Sequence, residues 1–210
     1  MKRLEQGLWA FIVLVYFSGA VGMIWAPLRF IPYTPWVLLL FLIYFLAVHF
    51  KFRRKLFFTW AIMGLLCFVI EALGVNLSWF FGSYYYGRAF GPGLWGVPFC
   101  IGINWVLMIS CSWGWLNQFN LSRGLQSLAT AALCTGMDFL MEPLAPHFDW
   151  WVFKNGWAGP YNYITWFVVS GLLGGMFSNS LRHVNSAKSK QWLLLNGLYF
   201  MVLLVNCYLI

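Results

Sequence analysis

Acid is what this sequence has least of: 210 residues carry five carboxylates, Glu5, Glu71, Asp138, Glu142 and Asp149, and charged residues of both signs reach 9%. With 62% hydrophobic residues beside them, that excludes a soluble globular domain, in which charged residues make up about 25%. Histidine is also scarce. His49, His147 and His183 stand apart from one another, so the clustered-histidine metal centres of membrane di-iron enzymes are excluded and no metal is expected. The five cysteines form no Cys-x-x-Cys pair and fall in or near apolar stretches, where they read as small core residues. A phosphate-binding glycine signature is missing, and Gly171, Gly174 and Gly175 read instead as points of close helix contact. The last apolar stretch has no lysine, which excludes a retinal Schiff base. No soluble module, internal repeat or low-complexity tract is visible.

What is present is a series of apolar stretches, each close to the roughly 20 residues that cross a hydrocarbon layer as a helix. Seven are expected: residues 7–25, 35–50, 56–76, 97–116, 123–144, 161–181 and 191–210. The expected fold is an all-α, polytopic membrane helical bundle of about seven transmembrane helices, forming a single integral-membrane domain over residues 1–210 and lodged in the cell membrane. The N-terminal stretch reads as a retained span, since no Ala-x-Ala exit follows it. Lys2, Arg3, Lys51, Arg53, Arg54, Lys55, Arg123, Arg182, Lys188 and Lys190 fall on one side of that arrangement, against Arg29, Arg88 and Lys154 on the other. Such a bias predicts a cytoplasmic N-terminus. The net charge of +8 is thereby a topology signal, and no nucleic-acid partner is read from it.

An ionisable group inside a span costs roughly 2.5–3.5 kcal/mol on insertion scales and is by default a functional hypothesis. Glu71 lies 16 residues beyond Lys55 and Asp138 lies 15 beyond Arg123, which places them at roughly 24 and 22 Å along their helices. They reach one depth. Glu142, four residues after Asp138, shares its helix face. The connections carrying Tyr84, Tyr86 and Arg88, and Asp149, Trp150 and Trp151, open on the same side. Asn104 and Asn162 come from two further spans. A polar pocket in the outer leaflet, walled by aromatic rings, is the simplest arrangement that joins these groups. Arg88 and Lys154 are the cations on that side, so at least one acid is expected to keep its proton.

Two plainer accounts compete. Buried carboxylates in helical bundles can serve packing alone, paired with a tyrosine or an arginine, and Glu142 and Asp149 are near enough to the boundary to be solvated. Aromatics make up 21% of the chain, and interfacial belts with lipid-facing Phe account for most of them. Those near the acids, including Trp79, Trp95, Trp105, Trp150, Trp151 and Trp166, suit a slot for a flat conjugated ligand and a cation formed in it.

The ordered series Glu71-x-x-Gly74, Phe81-Gly82-x-Tyr84-x-Tyr86, Gly96-Val97-Pro98 and Asn104-Trp105 resembles the integral-membrane carotenoid hydratases, the group of bisanhydrobacterioruberin hydratase and γ-carotene 1',2'-hydratase. The second half resembles them too, in Asp138-x-x-x-Glu142-Pro143, Trp150-Trp151, Gly156 and Pro160-x-Asn162-Tyr163-x-x-Trp166. Glu142 departs from the pattern, in which an aspartate often precedes the proline. The resemblance spans about residues 56–185.

It implies a cofactor-independent hydro-lyase that adds water across the terminal double bond of an acyclic carotenoid. A carboxylic acid protonates the alkene, and water captures the tertiary cation. Glu71, Asp138 and Glu142 are the expected catalytic residues, with donor and base unassigned between Glu71 and Asp138. Tyr84, Tyr86, Asn104, Trp105, Asp149, Trp151, Asn162 and Trp166 are the expected substrate-binding residues. Asn104 and Tyr84 would hold the water, with Trp105 and Trp166 facing the cation. The partners implied are a lipid-soluble carotenoid and membrane lipid, with association with other carotenoid enzymes a further expectation. Three alternatives stay open: a carotenoid cyclase that starts from the same cation, a proton-coupled transporter, and a non-catalytic membrane subunit.

Overall fold

The computed structural model describes residues 2–49 and 53–209. Lys51 of the basic cluster, and Phe50 and Ile210 at the expected ends of two spans, lie outside the described residues.

Helix α1 (Lys2–Trp25) is followed by the short α2 (Pro27–Phe30), a 3-10 turn at Ile31–Tyr33 and α3 (Thr34–Val48). Proline stands in the first turn of each of the last three. There its missing N–H would have no partner in any case and its fixed φ suits a helix start. Next come α4 (Arg53–Leu77), strands β1 (Tyr84–Tyr86), β2 (Gly93–Leu94) and β3 (Val97–Pro98), α5 (Cys100–Leu116) and α6 (Arg123–Met141). Strand β4 (Trp151–Phe153), α7 (Pro160–Met176), α8 (Ser178–Leu181) and α9 (Ser186–Leu209) complete the chain. The side chain of Ser122 caps α6 by accepting from the Leu125 N–H.

Among the described residues, four segments, Glu5–Trp25, Pro27–Val48, Arg54–Leu77 and Ser186–Tyr208, are long and apolar enough to cross a membrane. This is an all-α membrane protein with a small strand-containing cap. The three longer helices between the last two of these segments are shorter than expected: α5 and α7 have 17 residues and α6 has 19. The missing length went into the cap, since Val97 is in β3 and Glu142 lies past the end of α6. The sixth apolar stretch is broken at Phe177, between α7 and α8.

Helix α5 is the axis of the bundle. Fourteen of its seventeen residues are buried, and α3, α4, α6, α7 and α9 all pack on it. Small residues let the backbones close in. A Cβ on Gly102 would sit 3.0 Å from the Gly64 carbonyl oxygen, so α4 and α5 touch main chain to main chain. Gly171, Gly174 and Gly175 do the same for α7, where added Cβ atoms would meet Ala131, the Trp113 ring and Ser127 at 3.0–3.2 Å. Helix α1 is held to α9 by polar groups: Tyr16 donates to Asn196 Oδ1 (3.3 Å), and the Trp192 indole N–H donates to Tyr16 (3.1 Å).

The two long connections are not independent loops. β1 pairs antiparallel with β4, setting Tyr84 opposite Phe153 and Tyr86 opposite Trp151. Main-chain bonds from Gly87 to Trp150 and from Lys154 to Ser83 extend the ribbon. A second, two-residue pairing of β2 with β3 leads into α5. The cap therefore lies across the ends of α4, α5, α6 and α7, where Glu71, Asn104, Asp138 and Asn162 reside.

Candidate active site

Glu71 is 3% exposed on α4, and three donors converge on it. Tyr84 and Tyr86 donate to Oε2, the latter at 2.8 Å, and the Trp105 indole N–H donates to Oε1 at 2.8 Å. Strand geometry explains the tyrosine pair. Residues two apart in a strand share a face, so Tyr84 and Tyr86 both turn inward while Tyr85 is exposed. Burial pushes both inner phenols well above their ordinary range. They keep their protons and act as donors.

Asp138, in the last turn of α6, is fully buried. Its partner is Asn162 in the first turn of α7, whose amide nitrogen donates to Asp138 Oδ2 (2.7 Å) and also to Glu142 Oε1 (2.9 Å). The Trp151 indole N–H donates to the other oxygen of Glu142 at 3.1 Å. Asp138 Oδ1 is buried and without a hydrogen-bond partner among the described residues. No cation answers the three acids, since the ion pair found among the described residues joins Lys188 to Glu5 at 3.2 Å.

These groups surround a cavity of about 20 Å³ whose lining includes Glu71, Asp138, Glu142, Asn104 and Asn162. A water needs roughly 10–15 Å³ by that measure. The cavity is sized for one. Trp166 and Trp105, also in its wall, stack with ring centroids 3.7 Å apart and planes 12° from parallel. A second, largely apolar cavity of about 330 Å³ lies among α1, α3, α9 and the cap, and Asn104 and Trp151 line both.

Ten of the eleven residues expected at the site line the small cavity: Glu71, Asp138, Glu142, Tyr84, Tyr86, Asn104, Trp105, Trp151, Asn162 and Trp166. Asp149 does not. Its carboxylate accepts from the Arg88 backbone N–H (2.9 Å) and its own φ is +54°, so it fixes the turn beside β4. Tyr84 is bonded to Glu71, whereas the sequence suggested a water-holding place beside Asn104. Phe81, Ile101 and Phe153 also line the cavity. Phe153 could have been found from strand alternation, being two residues from Trp151.

The chain matches the family described as carotenoid biosynthesis protein over residues 33–210. It belongs to that family. All eleven expected site residues fall inside the matched part, whereas α1 and α2 precede it. No curated protein and no solved structure matches the chain. Family membership gives this membrane protein a role in carotenoid biosynthesis.

Proposed function

We propose that this carotenoid biosynthesis protein is a cofactor-independent hydratase that adds water across a terminal double bond of an acyclic carotenoid. The observation that carries this reading is the small cavity: three carboxyl groups, no neutralising cation, room for one water and a pair of stacked indoles in the wall. We further propose seven membrane crossings with the N-terminus in the cytoplasm, one domain, and a multi-pass place in the cell membrane. The three short, buried central helices would span with the help of the cap.

Roles follow from the hydrogen bonds. Asp138 is the proton donor, because Oδ1 has no donor directed at it and is the oxygen able to carry a proton. Its O–H bond breaks as a C–H bond forms at the less substituted alkene carbon, leaving a tertiary cation beside the indole faces of Trp105 and Trp166. Glu71, with three donors on it, is arranged as a carboxylate. Its Oε1 accepts one bond and has a second lone pair for the water. The water oxygen bonds to the tertiary carbon, and one of its protons passes to Glu142, from which it returns to Asp138 by way of the next water to enter the cavity that both acids line; the Asn162 amide, donating to both, holds the two carboxyl groups in place. The net change is alkene plus water to tertiary alcohol.

Expression in a bacterial host that accumulates lycopene or another acyclic carotenoid tests the reading by pigment chromatography and mass measurement. Products heavier by one or two waters are expected. A cyclised product of unchanged mass would replace hydration with cyclisation, and unaltered pigment across several acyclic substrates would overturn both.

Gly74 supplies a further check. One turn beyond Glu71, it lies so close to the cap that a Cβ there would sit 2.7 Å from the Phe81 ring and 3.4 Å from the Tyr84 hydroxyl. Gly74→Val is expected to displace Tyr84 from Glu71 and lower turnover by about 10²-fold, the order associated with ångström-scale misplacement. Full turnover in an assay of the purified variant would show that the Tyr84–Glu71 contact does not matter to the reaction.

A further inference from the structure

We infer that the larger cavity takes the terminal isoprenoid segment of the linear polyene, and that α1 is the wall that sets which chain ends are accepted. This rests on the hydratase reading for the direction in which the chain end points, and on the cavity's own geometry for the rest.

The cavity meets the acid site directly. Asn104 and Trp151 line both, and the Trp151 indole N–H holds Glu142. A chain end that passes between them arrives beside the acids. At the opposite side Ser18, Tyr33 and Trp36 line the cavity and are exposed, so it opens laterally between α1 and α3, where a membrane protein meets lipid. The hydroxyls near that mouth are turned inward on their own helices: Ser18 donates to the Leu14 carbonyl and Thr34 to that of Ile31. Deeper in, Tyr16, Asn196 and Trp192 satisfy one another. What remains for a ligand is mostly hydrocarbon and ring faces, among them Phe30, Phe90 and Phe200, with the Asn104 amide and the indole N–H of Trp150, which has no partner among the described residues, at the inner end. A rigid conjugated chain suits such walls.

Size and sequence narrow the role. About 330 Å³ is at the lower end of the roughly 300–1,000 Å³ of small-molecule sites. It holds the end of a long polyene while the remainder extends through the mouth into lipid. The wall from Val15 to Met23 on α1 lies before residue 33, where the family match begins. This side of the cavity therefore lies outside the matched part. Gly19 is the most open point on it, since an added Cβ would have the Tyr199 ring at 3.9 Å as its nearest neighbour.

The test uses the full chain in a lycopene-accumulating host, with Asp138→Asn present to stop chemistry, and reads the lycopene that co-purifies in detergent per protein. Asp138→Asn alone is expected to retain pigment. Adding Gly19→Phe or, on the facing helix, Val37→Phe is expected to reduce it by about tenfold or more, as overpacking of roughly 1–3 kcal/mol implies. Gel filtration and thermal unfolding establish that each variant is folded, and Val37→Phe decides the matter if Gly19→Phe does not fold. Undiminished pigment in a folded cavity variant overturns the inference, as does a parent protein that holds phospholipid and no pigment. The hydratase reading fails separately: the wild-type chain would leave lycopene unchanged in mass while Asp138→Asn still held it and the cavity variants did not.

Discussion

Asp138→Asn is expected to lower water addition by about 10²–10⁴-fold, the range that a positioned general acid contributes, with the protein still folded and inserted. Asparagine keeps the shape and retains an oxygen for the Asn162 amide, which donates to Asp138 Oδ2 at 2.7 Å. It has no proton acidic enough for an alkene. Asp138 Oδ1 is buried without a partner, so the amide nitrogen placed there brings a donor with no protein acceptor and is expected to cost about 1–3 kcal/mol of stability. The decisive comparison is single-turnover conversion of an acyclic carotenoid by the purified variant against the wild-type chain, with thermal unfolding measured on the same samples. Unchanged turnover would remove Asp138 from the chemistry and shift the donor role to Glu71.

Glu71→Leu is expected to act in the reverse way, on stability as much as on activity. The hydroxyls of Tyr84 and Tyr86 and the indole N–H of Trp105 all end on this one carboxylate. Each buried donor left without an acceptor costs about 1–3 kcal/mol. Hydroxyls can rotate toward other acceptors while the indole N–H cannot, which puts the loss at about 1–3 kcal/mol for the indole alone. Glu71→Gln, which retains one acceptor oxygen, is expected to be the milder change. The unfolding midpoints of the two variants in one detergent provide the measurement. Equal midpoints would mean that the three donors find other partners and that Glu71 does not anchor the cap.

The parts of this protein that could be read from its sequence are those in which a single residue carries a large physical cost. A carboxylate in an apolar helix is such a residue, and counting along the helices singled out Glu71 and Asp138, which both line one small cavity. The glycine-rich stretch of α7 was legible for a similar reason. The β1–β4 pairing was not. Three-residue strands have no periodicity to detect, and what holds Tyr84–Tyr86 extended is a partner strand 65 residues or more away. Helix lengths were overestimated in the middle of the chain because α5, α6 and α7 face other helices, and an apolar run there continues into buried cap residues such as Val97 and Leu144. Asp149 lies outside the small cavity and accepts from the Arg88 backbone N–H; an acid beside two tryptophans looks the same in sequence whether it faces a pocket or caps a turn.

The ribbon has a consequence for how such a protein can change over generations. Tyr84 and Tyr86, which hold Glu71, are on one strand, and Trp151, which holds Glu142, is on the other, directly opposite Tyr86. Acids from two different helices are thus mounted on the same small part. Any substitution that slides or twists either strand alters the surroundings of both acids together. Variation around Glu71 and Glu142 is therefore coupled through one ribbon, so a change in either strand is felt at both acids.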